Sequence, residues 1–213
     1  MTEGKHVKLT MNPETMRYGS YVLDKFGAPY LSELTECGAP PFEPPPNHLG
    51  SFILTTIFVK PLPDQQRRII FMLGRRILNA IYEYTVARDF LLKYVQKLPQ
   101  TNNHFLRALD AITHFEQCIA SAAQADLLFD RLVSLAKAPE LNDERCEKIR
   151  KIWNRSKHFD EDLANLTVEL TAPVWLTNTA IASSAAVVTF EELHGVLSDL
   201  LKVFKATFAS KTS

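Results

Sequence analysis

The sequence predicts an all-α protein: an up-and-down, four-helix bundle-like domain behind an irregular, proline-rich N-terminal arm. Three observations lead there. Two consecutive stretches, each far longer than an ordinary strand, repeat apolar residues at spacings of three and four. Prolines and capping residues mark the ends of these stretches. The prolines and glycines that recur through residues 1–63 exclude continuous helix or sheet there, because proline removes an amide donor and restricts the residue before it. Residues 1–63 are therefore read as the arm and 64–213 as the helical domain.

The arm is expected to hold one short helix over residues 12–26, with Asn12 as cap, Pro13 in the first turn and Gly27 at the end. GAPPFEPPPNHLG (38–50) suits either a polyproline recognition ligand or an ordered segment laid over the main domain. In the second case Tyr30, Leu31, Leu34 and Phe42 would anchor it. FILTTIFV (52–59) clusters its apolar residues and reads as a strand or an extended buried segment.

After Pro63, Asp64 is expected to cap a long helix closed by Pro99. Its buried stripe would be Ile70, Leu73, Ile77, Ala80, Ile81, Tyr84, Ala87, Phe90, Leu91 and Val95. Thr101 opens a second helix of similar length, stopped by Pro139, with Phe105, Leu109, Ile112, Phe115, Ile119, Ala122, Ala123, Leu127 and Phe129 turned inward. The tight proline turn between the two predicts an antiparallel hairpin. A third helix begins near Asn142, with Asp143 and Glu144 in its first turn and Cys146, Ile149, Trp153, Phe159, Leu163 and Leu166 buried. LTVELTAPVWLTNTAIASSAAVVT reads as a loop that can carry a short hairpin with Pro173 and Asn178 near its turns. Thr189 and Glu192 form a capping box for the last helix, FEELHGVLSDLLKVFKATFA.

Composition narrows the function. The chain has 213 residues, 46% of them apolar, and a formal net charge of zero, so it lacks the global basicity of a generic polyanion binder, although a local basic patch is compatible with it. Cys37, Cys118 and Cys146 are odd in number and show no paired spacing, which fits reduced core thiols. The polar N-terminus carries no export signal, and the longest apolar run (52–59) is too short to span a bilayer. A soluble, cytoplasmic protein without membrane contact is expected. GxGxxG, GxxxxGK[ST], GxSxG and HExxH are absent, and the histidines at 6, 48, 104, 114, 158 and 194 form no Glu-x-x-His pair, so neither metal nor cofactor is expected.

The chemistry concentrates in the third helix, at WNRSKHFDED (153–162). Arg150, Asn154 and His158 follow at four-residue spacing and share a face, with Lys151 and Arg155 in the neighbouring row. Residues 148–157 hold five cations and no acid, and acids bracket them on both sides. Arginine, lysine and amide donors can grip a phosphate, and a histidine can move a proton near neutral pH. Metal-free ribonuclease chemistry needs little more. The candidate catalytic set is His158, Arg155 and Asn154; Arg150, Lys151, Trp153, Lys157, Asp160 and Glu161 are candidates to hold substrate, with Asp160 or Glu161 orienting the imidazole. The same residues also describe an exposed, charge-paired helix flank.

NRSKHFDED, set after a long helix hairpin and before a final amphipathic helix, resembles the signature region of HEPN-type α-helical domains. Those carry an arginine, often followed by asparagine, then a few residues and a histidine, and some continue as His158-Phe159-Asp160-Glu161 does. The resemblance covers residues 64–208 in architecture and about eight residues in motif. It implies either a metal-independent ribonuclease of toxin or antiphage type, in which paired motifs of a homodimer form one cleft, or an inactive relative that binds RNA or nucleotide. Aligned on Asn154 and His158, the family's arginine falls on Trp153, leaving Arg155 or Arg150 to substitute. Three readings follow: a non-catalytic or weakly active binder of RNA, nucleotide or a protein partner through residues 150–161; an active ribonuclease using His158; and a helical scaffold without a nucleic-acid role.

Overall fold

The computed structural model describes residues 28–43, 62–96, 104–136, 143–164 and 172–209. Four long helices carry the fold: α1 (Asp64–Val95), α2 (His104–Ala136), α3 (Glu144–Lys157) and, after a short α4 (Phe159–Ala164), α5 (Phe190–Ala209). Between α4 and α5 lie three short strands, β1 (Trp175–Leu176), β2 (Ala180–Ala182) and β3 (Val187–Thr189).

Side-chain pairs reveal the up-and-down order. Asn79 meets Ser121, Glu83 meets His114, and Arg107 reaches the Lys93 carbonyl, so α1 and α2 run antiparallel. Glu116 pairs with Ser156 and Asp130 with Arg150, which sets α3 antiparallel to α2. Lys148 meets Glu192 and Arg145 meets Asp199, which reverses the chain again into α5. The all-α, up-and-down bundle expected from periodicity is the observed architecture.

The core follows the predicted stripes with a few exchanges. Leu73, Ile77, Ile81, Tyr84 and Leu91 of α1 are buried, as are Phe115 and Ile119 of α2, while Phe90 and Val95 lie half-buried at the edge. Leu127, expected inside, is an exposed apolar residue. On α3, Ile152 rather than Trp153 takes the fully buried place, and Trp153 is half-buried against the core. The helix starts also shift. Pro63 is the N-cap of α1, with Asp64 its first residue and paired to Arg67. Asp143 caps α3 by accepting from the Arg145 amide at 2.9 Å.

The segment read as a loop that can carry a short hairpin is a three-stranded antiparallel sheet in the order β1-β2-β3, with Asn178 in the β1–β2 turn as expected. Its register pairs Leu176 with Ile181 and Ile181 with Val188. It leads straight into the capping box: Thr189 Oγ1 accepts from the Glu192 amide at 3.0 Å, and Glu192 Oε2 accepts from the Thr189 amide at 2.8 Å.

Residues 28–43 pack on α1 and on the β1–β2 turn. Ala28, Leu31, Leu34 and Ala39 are buried. Tyr94 Oη donates to the Leu31 carbonyl at 2.9 Å, Tyr84 Oη to Pro40 at 2.9 Å, and Arg88 Nε to Ala39 at 2.7 Å. Phe42 is half-buried against Tyr84 and His194. Tyr30, expected as an anchor, is 50% exposed and adopts a left-handed φ of 64° at the start of a 3-10 turn, Leu31–Glu33. Gly38 is required where it stands: its amide donates to the Asn178 carbonyl at 2.8 Å, and a Cβ would meet that same oxygen at 2.7 Å. The helix expected over 12–26, the prolines at 44–46 and the run at 52–59 lie outside the described residues. Among the described residues no helix is long and apolar enough to cross a membrane.

Candidate functional site

The third helix ends earlier than its periodicity suggests. With acids in its first turn and Arg155 and Lys157 in its last, α3 complements its dipole at both ends and stops at His158. His158 is the C-cap, with φ −105° and ψ 10°, its amide still bonded to the Asn154 carbonyl at 3.3 Å. The chain then bends into α4, which buries Phe159. No proline or glycine marks this elbow, so the apolar spacing alone reads as one continuous helix. Leu163 and Leu166 fall outside what the structure describes of side chains.

The cation row is heavily committed within the protein. Arg150 Nε lies 2.5 Å from Asp126 and its Nη2 2.6 Å from Asp130, both on α2. The Asp126 bond comes first among the causes that raise the Arg150 pKa. Lys148 lies 2.8 Å from Glu192 of α5, and Lys151 lies 3.0 Å from Glu147 one turn back. Arg145 bridges Asp143 and Asp199 at 2.5 and 3.0 Å. Ser156 donates to Glu116, whose carboxyl is raised chiefly by burial. Apart from the Lys151–Glu147 and Arg145–Asp143 pairs, which stay within α3 and its cap, these contacts join α3 to α2 and α5, so the row works first as a seam between helices.

Beyond the seam, the elbow collects the remaining candidates. Asn154, Lys157, His158, Asp160 and Glu161 are exposed, while Arg155 and Trp153 are half-buried. The Lys157 ammonium sits 5.2 Å above the Trp153 ring centre, a cation–π contact. His158 Nδ1 lies 3.4 Å from Glu161 Oε2, with the histidine side chain 52% exposed. Glu161 is thus the carboxylate beside the imidazole; among the described residues Asp160 forms no ion pair. Arg150, held against α2, is separated in role from this group. The elbow can offer an amide, an ammonium, an imidazole and the edge of an indole to a ligand.

A second histidine pairing escaped sequence reasoning. His114 Nδ1 lies 2.6 Å from Glu83 Oε2, the carboxylate is 7% exposed, and Phe90 stacks on the imidazole at 5.5 Å between ring centres. The Gln117 amide lies 3.3 Å from the same carboxylate. The only sequence signal is Glu83 itself, an acid on the apolar stripe between Ala80 and Ala87. The cysteines behave as inert thiols: burial raises Cys37 and Cys118, and lifts Cys146 to about 12.

No family model, no curated protein and no solved structure matches this chain.

Proposed function

We propose that this chain is a HEPN-like helical protein that binds RNA or nucleotide at the α3–α4 elbow without cleaving it. The observation that supports this reading is the double grip of Asp126 and Asp130 on Arg150. A ribonuclease of this type needs cations aimed at the developing phosphorane charge. Arg150 is spent on α2, and Trp153 stands where the motif would put arginine. Asn154, Lys157 and His158 keep exposed donors for a phosphate, and Trp153 offers an aromatic edge beside them. Two copies meeting through α3 would double this surface. The free thiols, two of them buried, suit a reducing compartment, and the cytoplasm is the proposed location.

One contact favours the ribonuclease alternative: Glu161 beside His158 could orient the imidazole as a general base. Incubating the protein with single-stranded RNA in EDTA, and measuring binding to the same RNA, separates the readings. The expected result is no cleavage, with binding that weakens as salt rises and drops at least fivefold in Asn154→Ala/Lys157→Ala. Cleavage that disappears in His158→Ala would establish the nuclease. Binding untouched by the double substitution would remove the elbow as the site, and absence of both cleavage and binding would leave the helical scaffold.

A further inference from the structure

The outer face of α1 carries a row of residues used neither by the core nor by the seam between helices. Arg68, Arg75 and Tyr82 stand seven residues apart, so successive members fall within about 20° of one another around the helix axis. At 1.5 Å per residue, the row from Arg68 to Tyr82 runs about 21 Å. Beside its second half lies a groove of about 440 Å³ lined by Met72, Arg75, Arg76, Leu78, Asn79 and Tyr82. That volume falls in the range of small-ligand clefts, roughly 300–1,000 Å³. Tyr82 is 63% exposed, an unusual setting for so large a ring.

Charge distinguishes this face from α3. Among the described residues neither Arg75 nor Arg76 forms an ion pair, whereas Arg145, Lys148, Arg150 and Lys151 all do. None of the groove's lining residues is an acid. Arg68 makes only a long contact to Asp64 at 3.9 Å, with 81% of its side chain exposed. An anion arriving here displaces no existing partner from Arg75 or Arg76, and its gain from counterion release is undiminished. Asn79 adds a fixed polar group, since it donates to Ser121 Oγ at 2.9 Å.

We propose that this face binds a single strand of nucleic acid, with phosphates on Arg68, Arg75 and Arg76 and a base stacked on Tyr82. Guanidinium forks match phosphate oxygens, and an exposed aromatic ring accepts any base by its face. The row is long enough for several nucleotides rather than one. A second copy of the chain fits poorly, because a two-fold contact would set these arginines against themselves. An acidic peptide would satisfy the arginines but brings no planar partner for Tyr82. The site is independent of the elbow: it lies on α1, and the elbow on α3, with α2 packed against both.

Fluorescence anisotropy with a labelled, unstructured oligoribonucleotide, and with the deoxy strand of the same sequence, tests the proposal on the full chain. Arg75→Ala/Arg76→Ala is expected to raise Kd at least tenfold. It should also lower the slope of log Kd against log salt by about 1.4, the share of two phosphate contacts on a single strand. Tyr82→Ala is expected to raise Kd about fivefold while Tyr82→Phe stays near the parent, because stacking needs the ring and not the hydroxyl. Unchanged melting curves would show that these surface variants keep their fold. Binding of either strand that weakens in Arg75→Ala/Arg76→Ala upholds the site, and the ratio of the two affinities identifies the strand. Failure of both strands to bind overturns it, as does an unaltered Kd and slope in the double variant, or a poly-glutamate peptide that displaces the strand at equal affinity. Loss of binding in Asn154→Ala/Lys157→Ala alone would sink this proposal and leave the elbow standing; the opposite pattern would do the reverse.

Discussion

Arg150 shows how a residue chosen for chemistry can be held for structure. Its guanidinium spans two aspartates one turn apart on α2, and Asp126 is only 5% exposed. Removing the cation leaves a desolvated carboxylate without its partner, which costs more than the pair contributes net. Arg150→Ala is therefore expected to lower stability by about 2 kcal/mol, read from the urea midpoint, the order of a charge-assisted bond at a partly exposed site. Arg150→Lys should recover only part, because an ammonium cannot fork across two carboxylates. A midpoint unchanged in Arg150→Ala would return this arginine to the list of ligand-binding residues. The sequence could place Arg150, Asn154 and His158 on one face, since helical spacing fixes that. It could not say which of them points at a neighbouring helix, because Asp126 lies in a different element.

At the scale of elements, the α3 seam makes stability depend on acid. The Asp143 carboxyl is lowered chiefly by the bonds from Arg145. Burial pushes Glu192 upward, but Lys148 and the Thr189 amide outweigh it and the net shift is down. Asp199 is likewise pushed up by burial and pulled further down by Arg145 and Lys202. Because each folded pKa lies below its unfolded value, the stability of these pairs is fully present above the ordinary carboxylate range, roughly pH 4, and drains as pH falls through the folded values. Glu116 has the opposite sign, since burial raises its carboxyl, and it is one group against three. The urea midpoint should therefore fall between about pH 5 and pH 3, and fall less in high salt, which screens the exposed members of the seam. A flat midpoint across that interval would show that the seam contributes nothing. The capping box at Thr189 and Glu192 was legible in advance because its four residues are contiguous; the link from Glu192 to Lys148 was not.

For the molecule as a whole, residues 28–43 contribute to the core. Leu31 is fully buried, and its carbonyl accepts from Tyr94 beneath it. Asn178 fastens the same segment to the β1–β2 turn, its Oδ1 accepting from the Thr35 and Glu36 amides at 3.0 and 3.3 Å. Leu31→Ala is expected to cost about 2–4 kcal/mol in urea unfolding, the range for a buried leucine truncated in a packed site. A loss below about 1 kcal/mol would mean that the segment lies on the helices without completing their core.

Local sequence was enough to place the four long helices, the capping box of α5 and most of the buried faces, because apolar periodicity and capping act within a few residues of chain. It also marked the histidine of α3 as a chemical candidate. Only the tertiary structure decided that the helix ends at that histidine, that Ile152 displaces Trp153 from the core, and that the apparent phosphate grip of Arg150 is closed by α2. It likewise distinguished the paired cations of α3 from Arg75 and Arg76 on α1. The physical reason is common to all four. The partners of a side chain are set by which helices pack together, and Arg150 and its two aspartates, far apart along the chain, meet only when α2 and α3 do.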